Sequence, residues 1–197
     1  MEPEDHAMGL MAAQAGLQAA RQIAYIVPDV REAIRRHNAI FGSGPYFLGE
    51  GFTLADHLYR GERWSLDIDA ALGQWGDVQI ELIQLNDDRA NIFREGPGRD
   101  VRGPRLHHLC LHPESVEDAI AMFAERGCPL VFEFAMPLGT RSVIIDTLAE
   151  LGHFVELYGR TDEVVGIYDN IRSAAESFDG SELIRPLGVV FESITQA

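Results

Sequence analysis

The chain has 197 residues, 46% of them hydrophobic and 24% charged, enough for one good-sized domain or two small modules sharing a core. Its formal net charge of −15 argues against nucleic acid and anionic membrane as partners, because phosphate-rich surfaces are met with basic patches. All 16 basic residues are arginine, which excludes Schiff-base catalysis and a phosphate-cradling lysine.

Residues 1–20 are acidic at first and then rich in Ala, Met, Leu and Gln, with a short helix expected from about His6. The acidic start is unlike a signal peptide and no apolar run reaches membrane-spanning length, so a cytoplasmic protein is expected. Gln22–Val27 reads as the first strand, ended by Pro28. Asp29 caps a helix with the stripe Val30, Ala33, Ile34, Asn38 and Phe41, which stops at Gly42-Ser43-Gly44-Pro45. Tyr46–Leu54 reads as a strand, Asp56–Arg63 as a polar turn or flap, and Trp64–Leu72 and Val78–Leu85 as two more strands. Asn86–Pro104, with Gly-Pro-Gly and no periodicity, reads as a linker. Leu106–His112 is then a strand, and Ser115 opens a helix with the stripe Val116, Ala119, Ile120 and Phe123. Leu130–Ala135, Arg141–Thr147 and His153–Gly159 follow as strands. Thr161 caps a further helix (Val164, Ile167, Tyr168, Ile171), and Leu187–Phe191 is an irregular apolar end.

This order repeats itself. A strand, a proline, an acid-rich helix start and an Ala-Ile pair recur, with the same interval from Gln22 to Ile34 as from His108 to Ile120. The expected class is α+β, with two tandem βαβββ modules at 21–88 and 105–160. An extension (1–20), a linker (89–104) and a C-terminal helix and tail (161–197) complete the chain. Neither module buries enough surface alone, so the halves should pack together.

Alternation along the strands divides apolar backs from polar fronts. Gln22 faces away from Ile23, Tyr25 and Val27; Glu81 away from Ile80 and Leu82; His108 away from Leu109 and Leu111; Glu156 away from Val155 and Leu157. For one strand, a water-facing front is the ordinary explanation. Four such residues, each central to an apolar-backed strand and metal-competent, form a candidate constellation. Cys110 and His112 share the front of the His108 strand, whereas simple alternation sends His107 to the other face. Cys110 and Cys128 make neither a disulfide framework nor a CxxC site.

At Gln-Ile-Ala-Tyr-Ile-Val-Pro-Asp (22–29), Ile-Glu-Leu (80–82), His-His-Leu-Cys-Leu (107–111) and Val-Glu-Leu (155–157), the chain resembles the vicinal oxygen chelate superfamily. That group includes glyoxalase I, methylmalonyl-CoA epimerase, extradiol dioxygenases and bleomycin-resistance proteins. The resemblance implies paired modules forming curved mixed sheets around a central cavity, with Gln22, Glu81, His108 and Glu156 as the metal positions. One divalent metal is implied, Zn first, with Ni, Co or Mn as alternatives. Gln22 stands where an Fe(II) dioxygenase needs a histidine, which disfavours that branch. The pattern looks most like glyoxalase I and the epimerase, although the glyoxalase turn before the last ligand is absent and no glutathione-binding set is found. The implied activity is a metal-dependent lyase or isomerase moving a proton alpha to a carbonyl through a metal-stabilised enediolate, with Glu156 as base and Glu81 as fallback. The competing reading is a metal-free protein that sequesters a small molecule, as bleomycin-resistance proteins do.

Cys110, His112, Arg60 and Arg141 are further pocket candidates, the arginines because guanidinium matches carboxylate and phosphate geometry. The expected partners are a small carbonyl substrate and a second copy of the chain in a homodimer.

Overall fold

A computed structural model describes Leu17 and residues 19–59, 62–96, 103–135 and 139–195, with the backbone alone at 52–58, 62–64 and 193–195. The helix expected from His6 and the candidate Arg60 lie outside the described residues. The first module runs β1 (Gln22–Ile26), α1 (Val30–Phe41), β2 (Tyr46–Tyr59), β3 (Glu62–Trp75) and β4 (Val78–Leu85). The second runs β5 (Arg105–Leu111), α2 (Val116–Glu125), β6 (Leu130–Ala135), β7 (Arg141–Ile145), a single turn α3 (Leu148–Leu151) and β8 (Phe154–Tyr158). Helix α4 (Asp162–Glu176), strand β9 (Ile184–Pro186) and helix α5 (Gly188–Thr195) follow.

The strands form one sheet in the order β3-β4-β1-β5-β8-β7-β6-β2-β9, with β2 also pairing β3. The modules join where β1 runs antiparallel to β5, and each module's last strand lies parallel to its first. Far from that seam, Leu58 and Tyr59 of β2 meet Glu133 and Phe132 of β6, so the sheet curves round on itself. Helices α1 and α2 pack on its outside. Val27, Val30, Ile34, Ile80 and Leu82 make one core with α1, and Ala119, Val143, Ile145, Val155 and Leu157 another with α2. A third core fills part of the inside, from Ala24, Ile68, Ile83, Phe132, Ile144 and Phe154. Among the described residues no helix is long and apolar enough to cross a membrane.

Local signals explain the helices. The side chains of Asp29, Ser115 and Thr161 accept from Glu32 N, Asp118 N and Val164 N at the three N-caps. Four expectations are corrected. The flap expected at Asp56–Arg63 is strand where it is described, up to Tyr59 and from Glu62: β2 and β3 form a long hairpin whose register shifts twice, between Gly49 and Phe52 and between Leu54 and His57. Each shift breaks the alternation that reveals a strand. The linker is partly core, because the 3₁₀ turn Ile92–Arg94 buries Ile92 and Phe93. Phe41, placed on the buried stripe of α1, is 47% exposed. The irregular end at Leu187–Phe191 lies mostly within α5.

Tyr46 and Gly73 face each other across the hairpin, and a Cβ on Gly73 would sit 2.5 Å from the tyrosine ring. The ring cannot retreat, because its hydroxyl is fixed by Ser43 Oγ at 2.8 Å and His37 Nδ1 at 2.9 Å. Gly73→Ala should therefore destabilise the fold by about 1–3 kcal/mol, as overpacking does. Urea denaturation would show it as a lower midpoint with an unchanged slope.

Candidate metal centre

The site is built across four adjacent strands. Ala24 of β1 is opposite Glu81 on β4 and opposite His108 on β5. With strands about 4.8 Å apart, carboxylate and imidazole start roughly 10 Å apart and meet over a methyl group, which is why the residue between them is small. Glu156 of β8 is opposite Cys110, one pleat along from His108. His108 Nε2 lies 3.0 Å from Glu156 Oε2 and 3.4 Å from Glu81 Oε2, and the three donor atoms are all within 4.8 Å of one another. Neither contact has hydrogen-bond alignment, so buried Nε2 keeps no hydrogen-bond partner. One nitrogen and two carboxylate oxygens converge in the way a divalent cation requires.

The supporting contacts are specific. Ser142 Oγ on β7 donates to Glu156 Oε1 at 2.6 Å, leaving Oε2 for the centre. Against expectation, His107 also points inward and is 1% exposed. The reason is a bulge: Ala24 pairs with His108 but Tyr25 pairs with Leu106, so His107 is an extra residue that alternation cannot place. Its ring stacks on Phe93 at 4.8 Å, its Nε2 lies 3.2 Å from the Ile92 carbonyl, and its Nδ1 lies 2.9 Å from His108 Nδ1. Burial and the neighbouring His108 push the pKa of His107 well down, so its ring is neutral. The carbonyl only accepts, which puts the single proton on His107 Nε2. His107 Nδ1 then accepts from His108 Nδ1–H, and the His108 Nε2 lone pair is free for a metal.

Gln22 is 3% exposed; its Nε2 donates to Gln79 Oε1 at 2.6 Å and its buried Oε1 has no partner. It pairs in register with Gln79 and Cys110, one pleat from Ala24, so it stands at a corner of the trio. An unpartnered amide oxygen at that corner fits a further metal donor.

The cavity over the trio measures about 110 Å³, with Ile68, Ala70 and Leu72 of β3 on one wall. Cys110 is fully buried among Tyr158, Val164 and Tyr168. Two pocket candidates stand elsewhere. Arg141 is bonded to Glu133 and Glu117, the latter on α2, because β7 presents it to the helix side. His112 lies in a separate cleft with Arg21, Arg160 and Arg172. Burial, then Arg21, lowers its pKa to about 4. The candidate set also left out Gln79, Ser142, Tyr158 and Tyr168, whose residue types give no metal signal on their own.

Residues 21–143 match the family model of the Glyoxalase/Bleomycin resistance protein/Dioxygenase superfamily. The chain belongs to that superfamily. Solved structures share the fold at low identity. Methylmalonyl-CoA epimerase from Mycobacterium tuberculosis aligns at 18% identity over 81% of this chain and 99% of its own, with a TM-score of 0.54. A hypothetical protein from Bacillus halodurans aligns at 14% over 73% of this chain and 95% of its own, TM-score 0.51. A mutant 4-hydroxymandelate synthase from Streptomyces coelicolor aligns at 15% over 73% of this chain and 49% of its own, TM-score 0.50. No curated protein matches by sequence. Members of the superfamily typically bind a divalent metal, and among the described residues Glu81, His108 and Glu156 form a group close enough together that it could hold one.

The charges set a pH dependence. Burial opposes a charge on His108, but Glu156 and then Glu81 outweigh it and raise its pKa to about 9. Burial raises Glu81 against the pull of His108. Glu156 is lowered although burial pushes the other way, because His108 and Ser142 favour its charged form. Below pH 9 a cation must displace the His108 proton, so affinity should rise about tenfold per pH unit between pH 6 and 8. Competition with a chromophoric chelator measures this, and a flat profile would remove His108 from the ligand set. Ser142→Ala frees one oxygen of Glu156 and should weaken metal about 10–100-fold in the same assay.

Proposed function

We propose that the protein is a metal-dependent lyase or isomerase that moves a proton alpha to a carbonyl. The observation carrying this is the convergence of Glu81, His108 and Glu156 on one point inside an apolar cavity. His108 Nε2, Glu156 Oε2 and the unpartnered Gln22 Oε1 would hold the cation, with Zn(II) the first choice and Ni(II), Co(II) or Mn(II) alternatives. When bound, the cation supplies a Lewis acid that makes the hydrogen beside a carbonyl more acidic. One histidine, one carboxylate and one amide oxygen, with Glu81 beside them, differ from the two-histidine, one-carboxylate set of Fe(II) oxygenases.

The geometry favours Glu81 over Glu156 as base. A base must take a proton and give it up, which needs freedom and a pKa above the ordinary carboxylate range. Ser142 and His108 hold Glu156, whose side chain keeps 6% of its surface, whereas Glu81 keeps 19% and is shifted upward. Glu81 would move the proton, Glu156 would anchor the cation, and the apolar walls would keep bulk water from the reacting carbon.

The test is exchange of the α-hydrogens of 2-hydroxyacetophenone in heavy water, followed by NMR beside metal analysis. Wild type should exchange them. Glu81→Gln should keep its metal and lose about 10²–10⁴-fold in rate. Glu156→Gln should lose metal affinity first, and His108→Ala should hold no metal. Exchange lost only in Glu156→Gln, with metal kept, returns the base to Glu156. Metal-loaded wild type that binds the ketone without exchange would make this a small-molecule binding protein.

The same reading includes a homodimer. Ile40 is 72% exposed, and the half-exposed rings of Phe41 and Trp75 lie 4.6 Å apart, an apolar patch that a second copy would cover. Light scattering at micromolar concentration should give a dimer for wild type and a monomer for Trp75→Glu.

A further inference from the structure

We infer that the substrate is small and uncharged, with an apolar, ring-sized substituent beside its chelating oxygens, and that the C-terminal segment selects it. This rests on the site being a metal centre for a carbonyl compound, and it adds what the rest of the molecule must be. The metal-binding candidates come from the repeated modules, but one side of the cavity does not. Val164, Ile167 and Tyr168 of α4, Leu187 just before α5, and Phe191 within it line the cavity. Ile167, Leu187 and Val190 pack with Phe47 of β2, which fixes this wall to the sheet.

The wall has little to offer a charge. The Tyr158 and Tyr168 hydroxyls are bonded to each other. No arginine lines the cavity among the described residues. Arg105 is held by the carbonyls of Phe93 and Glu95, and Arg21, Arg160 and Arg172 line a different cleft that shares only Tyr168 with the cavity. A second anionic group on the substrate would therefore enter beside Glu81 and Glu156 with no cation to meet it, which burial penalises heavily. The neutral donor left uncommitted is Gln79 Nε2, buried and without a partner, and a carbonyl, hydroxyl or nitro oxygen suits it. A volume of about 110 Å³ is of the size that holds one small ring, since an apolar cavity of ~150 Å³ takes up benzene. An acyl-CoA carrying a carboxylate, such as the substrate named for the epimerase neighbour, is the wrong chemistry for this wall.

The experiment uses protein loaded with Co(II), whose visible spectrum reports a ligand at the metal directly. Four hydroxamates share one chelating head: aceto-, benzo-, 4-nitrobenzo- and 4-carboxybenzohydroxamate. Nitro and carboxylate match in shape and differ in charge. Benzo- and 4-nitrobenzohydroxamate should bind more tightly than acetohydroxamate, and the 4-carboxy compound about 10²-fold or more weaker than the nitro compound. Ile167→Ala should reduce the preference for benzo- over acetohydroxamate about five- to tenfold. Carboxy and nitro compounds binding equally, or a phenyl group adding nothing over methyl, would overturn this inference and leave the metal centre standing. Protein that retains no Co(II) would overturn the proposed function with it.

Discussion

Two carboxylates sharing one imidazole inside an apolar shell is an arrangement that asks for a cation, and the rest of the molecule is disposed around it. His108 lies close to both acids without an aligned hydrogen bond to either. Residual negative charge buried this deeply is costly unless it is neutralised. The protein raises the pKa of His108 as a partial remedy, and the proposed divalent ion would be the complete one.

That point exists only because two similar modules meet. Glu81 belongs to the first and His108 and Glu156 to the second, and the antiparallel seam between β1 and β5 sets the register that brings them over Ala24. The outer cores under α1 and α2 fix each module's strands, so the donor geometry is inherited from packing that no substrate touches. Between the modules, Ile92 and Phe93 brace His107, which braces His108. The connecting segment is thus tied to the site through one hydrogen-bonded imidazole.

The legible part of this was the periodic part. Ile80-Glu81-Leu82 and Val155-Glu156-Leu157 alternate cleanly, and such strands announce both their faces and their inward acid. The repeat of strand, proline and capped helix likewise announced the paired modules. What stayed hidden broke the period or needed distance information. The bulge at His107 adds a residue that inverts the expected face. Ser142 carries no signal until β7 is laid beside β8 and its hydroxyl meets Glu156. The long β2–β3 hairpin was masked by its own register shifts, and Arg141 looked like a pocket residue because a strand's helix-facing side cannot be told from its cavity side by charge alone.

The appendage beyond Tyr158 separates two jobs that many sites ask of the same residues. The chemistry-bearing side chains are held by the doubled sheet, while α4 and α5 rest on Phe47 and contribute only surface to the chamber. On the proposed reading, exchanging Val164, Ile167 or Leu187 would reshape what can enter without moving a donor atom, so the range of molecules accepted could drift while the reaction type is held constant. For protein engineering, α4 is the place to diversify, and the strands around Ala24 are the place to leave alone.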